Sequence, residues 1–265
     1  MMEQITIANV NLEQFSNLKE LTFEEIEKNE IETYNKSTGN LKYYDCPKCL
    51  NRGDIKVRIN TVRLCDCMKI RKANRILAES GMAELIHNSK FENYFATEDW
   101  QVALKEKCMN FAKNPSHCLF LGGQSGTGKT HLCSAVCGEF IKQGKALKYV
   151  LWRDIVTKLQ ANLYKDDIYT SIVEDIKNVD VLYIDDLFKN RDNRKNYELE
   201  IAFKIINDRD LSNKITIIST EYLISDLIKI DEALAGRIVK MSGEYLLQIG
   251  KNSSRNYRLK NLDIL

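Results

Sequence analysis

One short stretch constrains this chain more than any other: Gly123-Gln-Ser-Gly-Thr-Gly128-Lys129-Thr130. It fits G-x-x-x-x-G-K-[ST] at every position and follows the apolar run CLFLGG over 118–123. A loop of this kind sits between a buried strand and a helix start. Its glycines let the backbone wrap phosphate oxygens, and its N–H groups and the helix N-terminus face the anion. Lys129 is then placed to reach the β- and γ-phosphates, and the Thr130 hydroxyl to ligate Mg²⁺. Gly123, Gln124, Ser125, Gly126, Thr127 and Gly128, with Lys129, Thr130 and His131, are the candidate nucleotide contacts. A glycine-rich turn matching by chance is the alternative, and the strand before it and the helix after it speak against that.

The rest of the C-terminal region fits an α/β fold. Periodicity predicts helices over 98–113, 129–142, 153–164, 170–177 and 195–210, then helical segments to about 239. Apolar runs predict strands over 118–123, 147–151, 179–184 and 215–219, with a short one near 244–249 before a polar tail. Such alternation implies a parallel sheet with helices on both faces. No internal repeat is visible.

The N-terminal region has a different grammar. Leu12, Phe15, Leu18, Leu21, Ile26 and Ile31 predict an amphipathic helix over 11–34, which NKSTGN (35–40) ends. Alternation in IKVRINTVRL predicts a hairpin. A basic helix runs over 68–79 and stops at Ser80-Gly81, and 82–97 reads as a linker docking through Phe91, Tyr94 and Phe95. The expected plan is a module over 1–80, a linker over 81–97 and a nucleotide-binding domain over 98–265. In a chain of 265 residues this suits one main domain plus a smaller one.

Composition narrows the partners. Net charge is +2, so there is no bulk attraction to nucleic acid or membrane. The distribution is uneven: 1–34 holds eight acids and two lysines, and 41–80 holds ten Lys/Arg against four acids. No apolar run reaches the roughly 18 residues of a membrane span. The N-terminus has neither the basic nor the apolar region of a signal peptide. The expected location is the cytosol, with no membrane partner.

The 8 cysteines fall into two groups. Cys108, Cys118, Cys133 and Cys137 lie in apolar or helical segments and read as small core residues. Cys46-Pro-Lys-Cys49 and Cys65-Asp-Cys67 are two close pairs around a hairpin, a spacing that suits one tetrahedral, structural Zn²⁺. Four reduced thiols in a loop, or a redox pair, are the alternatives. The second lacks its βαβ context and leaves one pair unexplained.

Further candidates follow the loop in order. The apolar strand VLYI ends in Asp185-Asp186. Asp185 is placed to hold the Mg²⁺ shell, and Asp186 to orient or polarise an attacking water. Either could instead cap a helix. The strand ITII ends in Ser219-Thr220-Glu221, where a polar residue, Thr220 or Ser219, can sense the γ-phosphate or simply cap the next helix. Arg237, in ALAGRI, can enter a neighbouring subunit's site or form a surface ion pair. Arg209 is a weaker candidate for the same role.

Together these pieces resemble the DnaC/DnaI-type replicative helicase loaders, especially phage versions, a group of AAA+ ATPases close to the IstB-like transposition helpers. The resemblance covers nearly the whole chain. It rests on CPKC…CDCMKIRKANRILAESGM, FLGGQSGTGKTHLCSA, VLYIDDLFK, ITIISTE, DEALAGRI and the terminal NYR. It implies an AAA+ fold that binds and hydrolyses ATP, with a Walker A site at 123–130, a Walker B pair at Asp185-Asp186 and Arg237 as an arginine finger acting in trans. It also implies an N-terminal region that grips a hexameric DnaB-type helicase, single-stranded DNA as a further partner, and self-association in an ATP-dependent ring or spiral. One departure is visible: many relatives end the sensor strand in Thr-Ser-Asn, and the Asn position here holds Glu221.

The expected function is ATP-dependent loading of a replicative helicase onto single-stranded DNA during replication initiation. The alternative is an IstB-like ATPase helper of a DNA transposase. A small-molecule kinase would need an arginine-rich lid, and the adjacent aspartates argue against it; an ATP-binding adaptor without turnover also remains open. Lys158 and Lys165 lie where the likeness places DNA, and Trp152 and Tyr164 beside them read as base-stacking or core residues.

Overall fold

The computed structural model describes residues 22–79, 82–190 and 196–257. The chain divides into two compact units, 1–65 and 66–265. The expected helix over 11–34 is therefore described only from Thr22 onward, and Leu12, Phe15, Leu18 and Leu21 lie outside the described residues.

In the smaller unit, helix α1 spans Phe23–Lys36 and buries no residue. Thr22 starts it with a capping box: its hydroxyl accepts from Glu25 N and the Glu25 carboxylate accepts from Thr22 N. Strands β1 (Asp54–Arg58) and β2 (Thr61–Leu64) pair antiparallel, Ile55 opposite Arg63, with an irregularity between Lys56 and Arg58. This is the hairpin the alternation predicts. Arg52 joins α1 to it. Its guanidinium donates to Tyr34 O at 2.6 Å, Ser37 O at 2.7 Å and Asn35 Oδ1 at 3.1 Å, and stacks 4.5 Å above the Tyr34 ring. The last carbonyls of a helix lack partners within it, so a cation there is doubly favourable. Residues of β2 are exposed throughout. A hairpin with so little core is not stable alone.

The larger unit begins with α2 (Cys67–Glu79), α3 (Ala83–Asn88), a 3-10 turn at Phe91–Asn93 and α4 (Asp99–Lys113). Then come β3 (Cys118–Gly123), α5 (Lys129–Lys142), β4 (Leu147–Leu151), α6 (Trp152–Ala161), α7 (Asp166–Asn178) and β5 (Val181–Asp185). It ends with α8 (Tyr197–Leu211), β6 (Ile215–Thr220), α9 (Ile224–Ile230), α10 (Glu232–Ser242) and β7 (Leu246–Ile249). The five strands run parallel in the order β4-β5-β6-β3-β7.

Both sheet faces are covered, as strands with near-continuous apolar runs require. Leu119, Leu121, Tyr183 and Ile217 face a core completed by α2, α3, α4 and α5. Cys118, Phe120, Leu182, Ile184 and Ile218 face the opposite one, completed by α6, α7, α8 and α10. Strand β6 lies between the loop-bearing β3 and the aspartate-bearing β5, so the C-terminal ends of all three converge at one edge of the sheet.

The structure departs from expectation in four places. The helix α2 and the segment 82–97, expected as module and linker, fall in the larger unit, with Ala73, Leu77 and Ile86 in its core; Phe91 and Tyr94 dock there as expected. Phe95 is 73% exposed and does not dock. Trp152 is core, but Tyr164 is 99% exposed, because α6 ends at Ala161 and leaves it in a connecting turn. Arg209 is fully buried: it donates to the carbonyls of Ile176, Lys177, Val179 and Ile215 and to Thr216 Oγ1. Satisfied by its own chain, it cannot reach another subunit.

Candidate nucleotide site and cysteine cluster

The loop between β3 and α5 opens into a cleft of about 270 Å³. Its lining joins residues 125–131 to Asp186, Lys189 and Glu221 on one side and to Asn93, Tyr94 and Phe95 on another. Gly128 caps α5 with φ +84, and a Cβ there would meet the Tyr94 ring at 2.7 Å. Only glycine suits both demands. No acidic residue occupies the first turn of α5. The N–H groups of that turn, which have no partner within the helix, therefore face the cleft without a competing anion from it.

Lys129 is buried, and burial pushes its ammonium pKa down. It donates to Gly123 O at 2.7 Å and Gln124 O at 2.8 Å, so its own loop carbonyls hold the ammonium within the turn of the loop. Thr130 Oγ1 lies 3.3 Å from Asp185 Oδ1. A hydroxyl and a carboxylate oxygen in this arrangement are the donor set a P-loop offers Mg²⁺. Asp185 also accepts from Tyr183 OH at 2.8 Å, Tyr149 OH at 3.1 Å and Ser219 Oγ. Burial pushes both tyrosine hydroxyls up in pKa, so they remain donors.

Asp186 is held differently. Its backbone is left-handed, φ 55, and its N–H donates to Ser219 Oγ at 3.2 Å. Its carboxylate accepts from Lys189 Nζ at 2.8 Å, and Lys189 also pairs with Glu221 at 3.2 Å. Thr220 is fully buried and does not line the cleft. Its hydroxyl donates to Leu187 O at 2.7 Å and accepts from Tyr222 N at 3.2 Å. Arg237 also lies outside the cleft lining. Its guanidinium stacks 4.3 Å from the Phe203 ring and donates to Asn207 Oδ1 at 2.9 Å.

Several lining residues are silent in the sequence. The tail after β7 folds back over the loop. Gln124 and Asn252 exchange two hydrogen bonds, at 2.7 and 2.6 Å, and Tyr257 N donates to Gly126 O at 2.9 Å. Arg255, on that tail, lines the cleft and lies 5.4 Å from the Trp100 ring. Apart from the terminal NYR, the tail reads only as polar in the sequence, because the partners of Asn252 and Tyr257 lie more than a hundred residues away. The available signals are the terminal NYR, which includes Tyr257, and Lys189, three positions after Asp186 in DDLFK.

The second candidate site is the cysteine cluster. The sulfurs of Cys46, Cys49, Cys65 and Cys67 all lie within 4.8 Å of one another, and all four residues are buried. Cys49 Sγ accepts from Gly53 N at 3.3 Å. An all-thiolate set this close fits tetrahedral Zn²⁺ with every position closed, a structural and not a catalytic arrangement.

The sheet order, the loop at the end of β3 and the carboxylates at the end of β5 make this an AAA+-type P-loop protein. The chain belongs to the IstB-like ATP binding protein family, whose model matches residues 62–261. It is similar to the phage-like element PBSX protein XkdC of Bacillus subtilis (strain 168), 30% identical over 240 residues, covering 83% of this chain and 88% of that protein. It is also similar to the replicative helicase loader DnaC of Buchnera aphidicola subsp. Baizongia pistaciae (strain Bp), 30% identical over 181 residues, covering 66% of this chain and 72% of that one. In fold it matches a crystal structure of the DnaC helicase loader, with a TM-score of 0.56 and 23% identity, over 64% of this chain and 100% of that chain. Among the described residues, no helix is long and apolar enough to cross a membrane.

Proposed function

We propose that this protein is an ATP-dependent loader that places a hexameric DnaB-type helicase on single-stranded DNA. The observation that carries the ATPase part is the meeting of Thr130 and Asp185 beside the buried Lys129. The loader part is supported by the likeness to a protein named as a replicative helicase loader.

In this reading Lys129 and the loop N–H groups bind the β- and γ-phosphates. Thr130 and Asp185 would hold Mg²⁺, which when bound would supply neutralisation of charge on the phosphates. Asp186 orients the attacking water and accepts its proton. Arg237, outside its own chain's cleft, serves the site of a neighbouring copy in a ring or spiral. Cys46, Cys49, Cys65 and Cys67 hold Zn²⁺ and keep the N-terminal module folded as a recognition surface for the helicase. Lys158 and Lys165, both exposed, contribute to the DNA contact.

One second reading, which the resemblance to the IstB-like transposition helpers implies, is a helper ATPase for a DNA transposase; the family shown is described only as ATP-binding. Capture of a hexameric DnaB-type helicase by the full-length protein, with and without ATP, separates the two. Nucleotide-dependent capture supports the loader. No capture in either state, together with binding to a transposase, supports the helper.

A further inference from the structure

The cleft must admit a polyanion, yet three carboxylates stand at the strand ends beside it. Asp185 is quenched by hydroxyl donors. Asp186 and Glu221 instead share one cation, Lys189, at 2.8 and 3.2 Å. Lys129 feels both carboxylates through space, but its ammonium donates its hydrogen bonds to loop carbonyls, so no ion-pair contact from it reaches either one.

The turn that carries Lys189 is built to hold it there. Leu187 and Phe188 are fully buried, and Phe188 packs edge-on against Trp152 at 5.6 Å. Leu187 N donates to Ser219 O at 2.9 Å, and Thr220 Oγ1 donates to Leu187 O at 2.7 Å. Asp186, Phe188 and Asn190 all have left-handed backbone, φ 55, 62 and 58. Strained backbone of this kind persists only where the surroundings over-determine it. Here it turns two apolar anchors inward and leaves Lys189 lining the cleft.

We propose that Lys189 is the cation that reads the γ-phosphate, exchanging Asp186 and Glu221 for a phosphate oxygen and so freeing Asp186. This rests on the nucleotide-site reading above. An ammonium already next to two carboxylates can move to a denser anion without crossing an uncompensated state. ADP, lacking the γ-phosphate, leaves the pair with Asp186 in place. The chain thereby supplies with Lys189 and Glu221 what a neutral polar residue at the end of β6 cannot: a charge that responds to the third phosphate.

The test is equilibrium titration of the full chain, with Mg²⁺, against ADP and against the β,γ-imido analogue of ATP. Lys189→Gln should weaken the triphosphate analogue roughly 10- to 100-fold, the range of one charge-assisted contact, and leave ADP unchanged. Lys189→Arg should retain the preference. Adding Glu221→Gln to Lys189→Gln should recover part of the loss by removing a repulsive carboxylate. Equal weakening of both nucleotides with a lowered melting temperature would mean Lys189 only neutralises its neighbours, and would overturn the proposal. So would an unchanged preference. If the unaltered protein binds neither nucleotide, the nucleotide-site reading itself falls.

Discussion

Replacing Arg209 with leucine tests the division between structure and catalysis most sharply. The guanidinium is fully buried, and burial lowers its pKa to about 10. Its donors satisfy the last carbonyls of α7 through Ile176 and Lys177, the connecting Val179, and Ile215 at the start of β6. A leucine fills much of the volume but supplies no donor. Each buried carbonyl left without a partner costs about 1–3 kcal/mol, and relaxation and water recover part of that. Removing one side of a buried charged network typically costs about 3–5 kcal/mol. Against a whole-domain stability of about 5–15 kcal/mol, that is a large share. Urea unfolding followed by circular dichroism should show the midpoint fall, with a melting temperature lower by roughly 10 °C. Nucleotide affinity of the folded fraction should be unchanged. An unshifted midpoint with abolished ATP turnover would refute this account and return Arg209 to the reacting phosphate.

Lys129→Ala removes the ammonium held by Gly123 O and Gln124 O, and nucleotide titration should show binding weakened by roughly 100-fold with little change in stability. Elemental analysis of the purified protein should find one zinc per chain; Cys46→Ser should lose it and unfold the smaller unit, as seen by proteolysis, while the larger unit stays folded. Burial raises the thiol pKa of Cys108 and Cys118 to about 12, and pushes those of Cys133 and Cys137 well above the usual thiol range. Raised values mean less thiolate, about one part in ten thousand at pH 8 for the first two, so iodoacetamide should label these four only as the protein unfolds. Labelling of the native protein at pH 8, read by mass spectrometry, would contradict their burial.

How much of the molecule is legible in the sequence depends on how far apart the partners lie. The loop at 123–130 can be read because its chemistry is local: glycines, lysine and threonine act within one turn. The strands can be read because a doubly covered parallel sheet leaves continuous apolar runs such as CLFLGG and VLYID. The cysteine pairs can be read because metal-ligand spacing is short. Arg209 cannot, since NDRDL looks like any solvated helix end and its carbonyl partners come from α7, the connection after it and β6. Thr220 reads equally as a sensor or a cap, and its hydroxyl donates to Leu187 O and accepts from Tyr222 N, contacts set by how the turn after β5 packs. Phe95 and Tyr164 read inward from their apolar character, yet both sit in connections where no helix face carries them to the core. Apart from the terminal NYR that carries part of the resemblance, the tail over 250–257 reads as polar, because Asn252 and Tyr257 find their partners only after the whole sheet has formed.

The two adjacent carboxylates show how environment divides labour that sequence leaves equal. Asp185 ends a fully buried strand and receives hydroxyls from Thr130, Tyr149, Tyr183 and Ser219. Those donors come from α5, β4, β5 and β6, so four elements fix its position before any ligand arrives. A group fixed in this way suits a metal shell, where misplacement is costly and reorganisation is best completed during folding. Asp186 leaves the strand through a left-handed backbone, and its carboxylate pairs with Lys189, which Glu221 also claims. In the reading proposed above, a carboxylate restrained by a shared cation suits proton acceptance, because it becomes available when a phosphate oxygen takes that cation. The same turn therefore separates a carboxylate fixed by four hydroxyl donors from one paired with a lysine that a second carboxylate shares.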